Sequence, residues 1–302
     1  MGLGRPDSLV TIRVLMSRID LHTHTTASDG SLSPTELVQL AKQQGVSALA
    51  VTDHDSVAGL PEAMAAGEQL GITIIPGIEI SCLYEDAELH ILGYFINPDD
   101  PRLKSALLQY LSSREDRNPQ IIERLCRLGL DLTYVEVRAF AGSATVGRPH
   151  IAQILLQKGY VTSVADAFDR YLADGAPAYV SRALPTASEA IGLIREIGGV
   201  PVLAHPVYAG RLKQTFDETC AKLKALGLAG IETLYSSHTQ RQTDRFRSLA
   251  HEHGLLVTGG SDFHGDSKPD ILVGTGYGNL KVSAELLEPV QEAAKTIQGT
   301  GK

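Results

Sequence analysis

The stretch Ile19-Asp20-Leu21-His22-Thr23-His24 decides the fold, because it is a short apolar strand that ends in two alternating histidines. Ser33-Pro34-Thr35-Glu36 follows as a capping box with proline at the first helical position, and Gly45 ends the predicted helix. Residues 48–52 are then the second strand. This order of strand, helix and strand predicts an alternating α/β chain with parallel strands.

The same alternation continues along most of the chain. The predicted strands are residues 19–22, 48–52, 72–75, 89–95, 200–204, 230–234 and 255–258. Each is mostly apolar, which is typical of a parallel sheet buried on both faces. Between residues 97 and 185 the strands are replaced by four predicted helices, at residues 103–111, 120–128, 133–141 and 150–158. We therefore predict a leader at residues 1–17 that is disordered, an α/β domain at residues 18–98 and 186–302, and a helical insertion at residues 99–185 between the fourth and fifth strands.

Composition excludes several classes of function. The chain has 302 residues, a net charge of −8 and three cysteines, Cys82, Cys126 and Cys220, with no CxxC pair. An odd number of scattered cysteines favours a reducing compartment, so we expect a cytoplasmic protein. The apolar runs are too short to span a membrane, and the acidic charge argues against binding to duplex DNA. The oligomeric state is not predicted by any pattern.

Histidines and carboxylates recur where the predicted strands end. Because the loops after the strands of a closed β/α barrel meet at one mouth, residues about 240 positions apart are expected to converge. Imidazole and carboxylate without cysteine suit two or three divalent ions, with Mn preferred and Zn or Fe as alternatives. Multinuclear sites of this kind hydrolyse phosphate esters. The candidate ligands are His22, His24, Asp29, His54, Glu79, His90, His205, Asp262 and His264.

The elements His-x-His, Thr-Asp-His-Asp, Pro-Gly-x-Glu, Ala-His-Pro and Ser-Asp-x-His occur in this order across residues 19–98 and 186–278. In this respect the chain resembles the polymerase-and-histidinol-phosphatase (PHP) family of metal-dependent phosphoesterases. The resemblance implies a distorted seven-stranded β/α barrel. It also implies one ion held by His22, His24, Glu79 and Asp262, a second held by Glu79, His90 and His205, and a third held by Asp29, His54 and His264. Some relatives have histidine at the position of Asp29.

Residues outside the ligand set are predicted to bind substrate. Gly147-Arg148-Pro149-His150 resembles the branch of the family that acts on nucleoside 3′,5′-bisphosphates and short RNA 5′ ends. The resemblance implies that Arg148 grips a phosphate bidentately and that His150 donates to a substrate oxygen. On spacing alone, this segment is equally a turn that opens a helix. His238 is a further candidate for substrate contact, with a helix cap as its alternative.

The expected reaction is hydrolysis of the 3′-phosphate of a nucleoside 3′,5′-bisphosphate, which gives the nucleoside 5′-monophosphate. In that reaction Asp262 or His264 handles the proton of the leaving group, while Arg148 and His150 orient the substrate. Stepwise 5′→3′ trimming of short 5′-phosphorylated RNA is the close alternative. Histidinol-phosphate phosphatase or another small phosphomonoesterase, an amide- or phosphotriester-cleaving metallohydrolase and a non-catalytic polymerase-associated module are the others.

Overall fold

The computed structural model describes residues 18–142, 144–211 and 214–300, and the predicted leader lies outside the described residues. The described strands are β1 (Arg18–Asp20), β2 (Val46–Val51), β3 (Thr73–Tyr84), β4 (Ala87–Tyr94), β5 (Val200–Leu203), β6 (Gly230–Tyr235) and β7 (Leu256–Gly260). The described α-helices are α1 (Pro34–Gln43), α2 (Leu60–Leu70), α3 (Pro101–Arg127), α4 (Tyr134–Ala141), α5 (Arg148–Gln157), α6 (Val164–Ala167), α7 (Ala187–Glu196), α8 (Phe216–Ala225), α9 (Gln240–Glu252) and α10 (Leu287–Thr300).

Hydrogen bonds join the seven strands into one sheet in the order β1 to β7. The pairs β1–β2, β2–β3, β5–β6 and β6–β7 are parallel, whereas β4 runs antiparallel to both of its neighbours. The prediction that all strands are parallel was therefore wrong for β4. Only Glu85 and Asp86 separate β3 from β4, and so short a connection permits a hairpin but no parallel crossover.

Strand β3 is much longer than predicted. The predicted third strand ended at residue 75, but Pro76 and Gly77 also pair with the neighbouring strands of the sheet. Gly77 is required there because a Cβ atom would lie 2.8 Å from the Thr52 side chain and 2.9 Å from the carbonyl oxygen of Val51. Glu79 consequently lies within a strand and does not follow one.

The two ends of the sheet approach each other. The backbone N–H of Leu21 donates to the carbonyl of Gly259 at 3.2 Å, and that of His24 donates to Phe263 at 3.0 Å. A Cβ atom at Gly260 would lie 2.3 Å from the Cβ atom of His22, so this approach requires glycine. These contacts hold the loop after β1 beside the loop after β7, while closure of the sheet into a barrel stays a prediction.

Each side of the sheet packs in its own apolar layer. Alternate residues of β2 show this, since Leu49 and Val51 pack beneath α1 and α2, whereas Ala48 and Ala50 pack in the layer that includes α10. Capping boxes begin α1 at Ser33 and α7 at Thr186, as predicted.

Helices α3 to α6 lie between β4 and β5 and share a separate apolar cluster that includes Ile121, Leu125, Ile151 and Leu155. The prediction of two helices at residues 103–111 and 120–128 was wrong, because α3 runs without a break through Pro119. Proline removes one helical hydrogen bond, but buried side chains on both sides of it keep the helix packed. The division of the chain into two domains stays a prediction. Within the described residues, no helix has the length and apolarity that crossing a membrane requires.

Candidate metal centre

All nine candidate ligands lie in one cluster at one edge of the sheet. His22, His24 and Asp29 follow β1, His54 follows β2, His205 follows β5, and Asp262 and His264 follow β7. Glu79 and His90 lie within β3 and β4. Because β4 runs antiparallel, the beginning of this strand lies at the same edge as the carboxyl ends of its neighbours, and this direction brings His90 into the cluster.

Glu79 is the centre of the cluster and is completely buried. Its two carboxylate oxygens approach five imidazoles, so one residue links strands from both halves of the sheet. The distances are 3.2 Å from Oε2 to His22 Nε2, 3.2 Å to His24 Nε2 and 3.1 Å to His54 Nδ1, and 2.8 Å from Oε1 to His90 Nδ1 and 2.9 Å to His205 Nε2.

Asp29 and Asp262 supply the other carboxylates. Asp262 Oδ1 lies 3.3 Å from His24 Nε2, and Asp29 Oδ1 lies 3.4 Å from His264 Nε2. Four groups of ligand atoms are compact enough to hold an ion, each with its atoms within 4.8 Å of one another. They are His24, Asp29, His54 and His264; His22, Glu79 and His205; His22, His24 and Asp262; and His54, Glu79 and His90.

The donor set fits divalent cations. Both ring nitrogens of His24 and the Nδ1 atom of His54 are buried and make no hydrogen bond, although an oxygen of Glu79 lies 3.2 Å from His24 Nε2 and 3.1 Å from His54 Nδ1. Such an arrangement is costly unless a cation binds between the nitrogens and the carboxylate. Nitrogen and carboxylate oxygen donors without sulfur suit Mn, Zn or Fe. The four groups overlap at His22, His24, His54 and Glu79, so the predicted division of the ligands among three ions stays a prediction.

The charges of the cluster favour bound positive charge. Burial opposes a charged imidazole at His24, but the carboxylates of Asp262 and Glu79 outweigh it and raise its pKa to about 9. Burial likewise opposes charge on His90, yet Glu79 raises the pKa of His90 to about 10. Burial would raise the pKa of Glu79, but the surrounding imidazoles, His54 first, hold it well below its usual range. Burial lowers the pKa of His54 to about 3, so His54 presents a neutral ring.

Polar groups around the cluster hold the ligands in place. Glu232 Oε1 lies 3.0 Å from His22 Nδ1, and Glu232 Oε2 accepts the backbone N–H of His205 at 2.7 Å. These two contacts orient His22 and His205. Asp262 Oδ2 accepts hydrogen bonds from the Tyr235 hydroxyl at 2.8 Å and the Lys268 ammonium at 2.6 Å.

Two ligands occupy left-handed backbone conformations. The φ angle is 58° at Asp262 and 27° at His205, where residues other than glycine are rare. Such strain is held only where the surrounding structure over-determines it, and it concentrates at functional sites. Asp20 supplies part of that restraint near Asp262, because its carboxylate accepts from the backbone N–H of Ser261 at 2.8 Å and from its hydroxyl at 2.6 Å.

A cavity of about 230 Å³ adjoins the candidate ligands, and residues between β4 and β5 form part of its walls. Its walls include the candidate ligands His54, His90 and His264 together with four arginines. This pocket is called the arginine cavity below. Its arginines are Arg114 and Arg117 of α3, Arg148 at the start of α5, and Arg182.

The positive charge of the arginine cavity is only partly neutralised. Asp55 accepts from Arg114 at 2.5 Å and from Arg182 at 2.8 Å, and Glu88 accepts from Arg148 at 3.3 Å. Arg117 is 4% exposed and makes no ion pair among the described residues, since its guanidinium binds only the side-chain oxygen of Asn118. Burial first, and then the neighbouring arginines, lower the pKa of Arg117 to about 9.

The comparison with known proteins decides the family. A family model described as PHP domain matches residues 20–174 of the chain. The chain belongs to the PHP family. A 5′-3′ exoribonuclease from Haemophilus influenzae is 36% identical over 250 residues, which cover 83% of this chain and 91% of that protein. A 3′,5′-nucleoside bisphosphate phosphatase from Chromobacterium violaceum is 34% identical over 250 residues, which cover 82% and 88%.

A solved structure from Bifidobacterium adolescentis, described as a metal-dependent phosphoesterase, has a TM-score of 0.83 and 32% identity, and the match covers 91% of this chain and 95% of that one. These similarities confirm the prediction of a PHP-family enzyme that hydrolyses phosphoric esters with metal ions. They leave its substrate and its metal unassigned.

The residues predicted to bind substrate in this PHP enzyme lie in different surroundings. Arg148 lines the arginine cavity, as its predicted role requires. His150 is buried, and its Nδ1 atom accepts the backbone N–H of Gly147 at 3.0 Å, which caps α5. His238 packs against Phe246 and its Nδ1 atom lies 3.0 Å from the carbonyl of Thr233. Substrate contact by these two histidines stays a prediction, and their geometry favours the capping and packing alternatives.

We expect His54→Ala to lower the metal content by about one equivalent per chain, because His54 belongs to two of the four groups that can hold an ion. His54 is partly exposed, so its truncation should leave the fold intact. Metal content by plasma mass spectrometry checks this expectation, with His251→Ala on the exposed face of α9 as the matched control. Full metal content in His54→Ala would show that this ring is no ligand.

Proposed function

We propose that this enzyme removes the 3′-phosphate from nucleoside 3′,5′-bisphosphates and trims short 5′-phosphorylated RNA from its 5′ end in the same pocket. The observation that carries the proposal is the arginine cavity, in which four arginines lie beside the candidate metal ligands of a PHP-family chain. A substrate that presents two phosphates, one for the ligands and one for the arginines, fits this arrangement. The names of the two relatives, a nucleoside bisphosphate phosphatase and a 5′-3′ exoribonuclease, support it.

The charges support a remote phosphate in the arginine cavity. Four guanidinium groups face two carboxylates, those of Asp55 and Glu88, so the formal charge of this set is +4 − 2 = +2. The Nη1 atom of Arg182 is buried without a partner, and Arg117 has no carboxylate partner in the described structure. A phosphate dianion would satisfy both groups through charge-assisted hydrogen bonds. The volume of the cavity, about 230 Å³, suits a nucleotide fragment, which supports a small nucleotide or a short RNA as the substrate.

Bound divalent ions supply Lewis-acid stabilisation and a water of lowered pKa for attack on phosphorus. The protein orients the reacting phosphate by holding the remote one, so that binding energy in the arginine cavity positions the ester. Lys268 Nζ lies in the cavity wall on Asp262 and can stabilise phosphoryl oxygens. His264 Nδ1 donates to the backbone carbonyl of Asp262 at 2.8 Å, which leaves Nε2 as the atom that can bind an ion or carry a proton.

The alternative substrates fit less well. Histidinol phosphate carries an ammonium group, which the uncompensated guanidinium of Arg117 would repel. A non-catalytic module has no need of nine converging ligands and a second anion pocket. Among the described lysines, Lys268 reaches the cluster but binds one carboxylate, which does not suit a carbamylated bridge.

A substrate panel tests the proposal. We expect turnover of adenosine 3′,5′-bisphosphate and of 5′-phosphorylated di- and trinucleotides, with release of 5′-AMP or its equivalent. Histidinol phosphate should be turned over at least about 10²-fold less efficiently, because it has no second phosphate and cannot form about two charge-assisted hydrogen bonds in the arginine cavity. Preference for histidinol phosphate would overturn the assignment.

Arg148→Ala is expected to cut kcat/KM for adenosine 3′,5′-bisphosphate by about 10²-fold, a loss of about 2.7 kcal/mol, because the guanidinium is one of the phosphate contacts. Metal content should not change, since no ligand contacts Arg148. Arg148→Lys should recover little, because an ammonium group lacks the planar fork. Exposed Arg247→Ala is the matched control. Unchanged turnover in Arg148→Ala would show that residues 147–150 only form the turn that begins α5 and do not bind substrate.

A further inference from the structure

We propose that a second cavity, beside Tyr208, holds the nucleoside on the 3′ side of the scissile phosphate and that the Tyr208 ring stacks on its base. The inference rests on the proposed function and deepens it, since it names the site that holds the second nucleoside during trimming of short RNA. The cavity has a volume of about 210 Å³ and is called the tyrosine cavity below.

The tyrosine cavity is continuous with the active site. Glu88, His90 and Arg148 line both this cavity and the arginine cavity, while His205 and Tyr208 line only the tyrosine cavity. The two cavities therefore meet at the metal ligand His90. A substrate whose phosphate lies at the metal centre can extend in two directions, toward the arginines or toward Tyr208.

Tyr208 has the geometry of a stacking platform. Tyr208 is 61% exposed, yet its ring packs against two other aromatic rings. The Tyr208 ring meets His205 at a centroid distance of 5.3 Å and Tyr235 at 6.1 Å, both nearly edge to face. The backbone N–H of Tyr208 donates to the carbonyl of His205 at 3.0 Å. An aromatic surface that is both held and exposed beside a catalytic centre suits an unstacked base.

The chemistry of 5′→3′ trimming requires a site for the second nucleotide. The oxygen of water bonds to phosphorus, the P–O3′ bond breaks, and O3′ takes a proton. The first nucleotide leaves as a nucleoside 5′-monophosphate, and the phosphate stays on the 5′ oxygen of the second nucleotide. The second nucleoside is thus tied to the phosphate at the metal centre. With the first nucleotide anchored in the arginine cavity, the second nucleoside extends toward Tyr208.

The test compares kcat/KM for the dinucleotide pApA with kcat/KM for adenosine 3′,5′-bisphosphate, which has no second nucleoside. We expect Tyr208→Ala to lower the ratio of the two values by about 10-fold, as loss of one stacked base does. Tyr208→Phe should keep the ratio. Tyr277→Ala removes another exposed ring and is the matched control, which should also keep it. An unchanged ratio in Tyr208→Ala overturns the proposal, whether both values fall together or neither falls.

Binding without turnover gives a second measurement. The chain contains no tryptophan, so fluorescence of 2-aminopurine in the second position of a dinucleotide can be observed on the metal-loaded enzyme. A CH2 group in place of O3′ prevents cleavage. We expect the fluorescence to be quenched on binding to wild type and to Tyr208→Phe, and to recover in Tyr208→Ala. Equal quenching in Tyr208→Ala would overturn the stacking role. Absence of turnover of any nucleotide by wild type would instead refute the proposed function.

Discussion

Glu79→Gln is expected to lower kcat/KM by at least about 10³-fold and to remove at least about one metal equivalent per chain, because ions bound at this centre would lose the carboxylate that approaches five of the candidate ligands. Glu79 lies within 3.2 Å of a nitrogen in each of five imidazoles. Glutamine keeps the size of the side chain but carries no charge, and its amide N–H₂ cannot accept or coordinate as the second carboxylate oxygen does. The loss should therefore appear in both metal content and turnover.

Kinetics and mass spectrometry on the same preparations check this expectation. Exposed Glu252→Gln is the matched control and should retain the wild-type values. Thermal unfolding of the metal-free variants separates misfolding from loss of ions, since Glu79→Gln should still unfold cooperatively. A Glu79→Gln variant that keeps its metal and its activity would contradict the central position that we assign to this carboxylate.

Removal of the remote phosphate should have an effect of similar size. We expect 3′-AMP to be hydrolysed with a kcat/KM at least about 10³-fold below that of adenosine 3′,5′-bisphosphate, because two or three charge-assisted hydrogen bonds of about 1.5–3 kcal/mol each are lost. The groups that would lose the phosphate are Arg117, which has no carboxylate partner among the described residues, and the Nη1 atom of Arg182. The effect should appear in kcat as well as in KM, because the remote phosphate positions the ester.

The variant Arg117→Met gives an independent measure of this contact. It should lower turnover of the bisphosphate and leave turnover of 3′-AMP at its already low value. The two losses are expected not to add, since both remove the same interaction. Equal kcat/KM values of the wild-type enzyme for 3′-AMP and for the bisphosphate would mean that the arginine cavity does not bind the 5′-phosphate.

The nine candidate ligands could be predicted from the sequence because strand ends of parallel β/α units converge, so a position in the chain implies a position in space. His22 and His24 illustrate this, since their alternation after β1 puts both rings in the cluster. The predicted direction of β4 was wrong, because the tight turn at Glu85-Asp86 that joins β3 to β4 was not identified from the sequence. His90 still lies in the cluster, because its place near the start of an antiparallel strand is equivalent to the end of a parallel one.

The arginine cavity was mostly missed, and the reason is physical. Arg114 and Arg117 lie in a polar stretch of α3 that was predicted to separate two helices, and polar residues in a helix are usually solvated. Arg182 lies in an irregular segment with no periodicity. Only Arg148 was found, through its motif. The burial of Arg114, Arg117 and Arg182 depends on contacts between residues far apart in the chain, such as those of Arg114 and Arg182 with Asp55. A local sequence pattern does not predict such contacts.

Phosphorus NMR of the products from adenosine 3′,5′-bisphosphate tests the central claim most directly. We propose that the 5′-phosphate lies in the arginine cavity and the 3′-phosphate at the metal centre. We therefore expect resonances of 5′-AMP and inorganic phosphate in equal amounts, with no further loss of phosphate from 5′-AMP. Accumulation of 3′-AMP would contradict the account, because it would place the two phosphates in the opposite order.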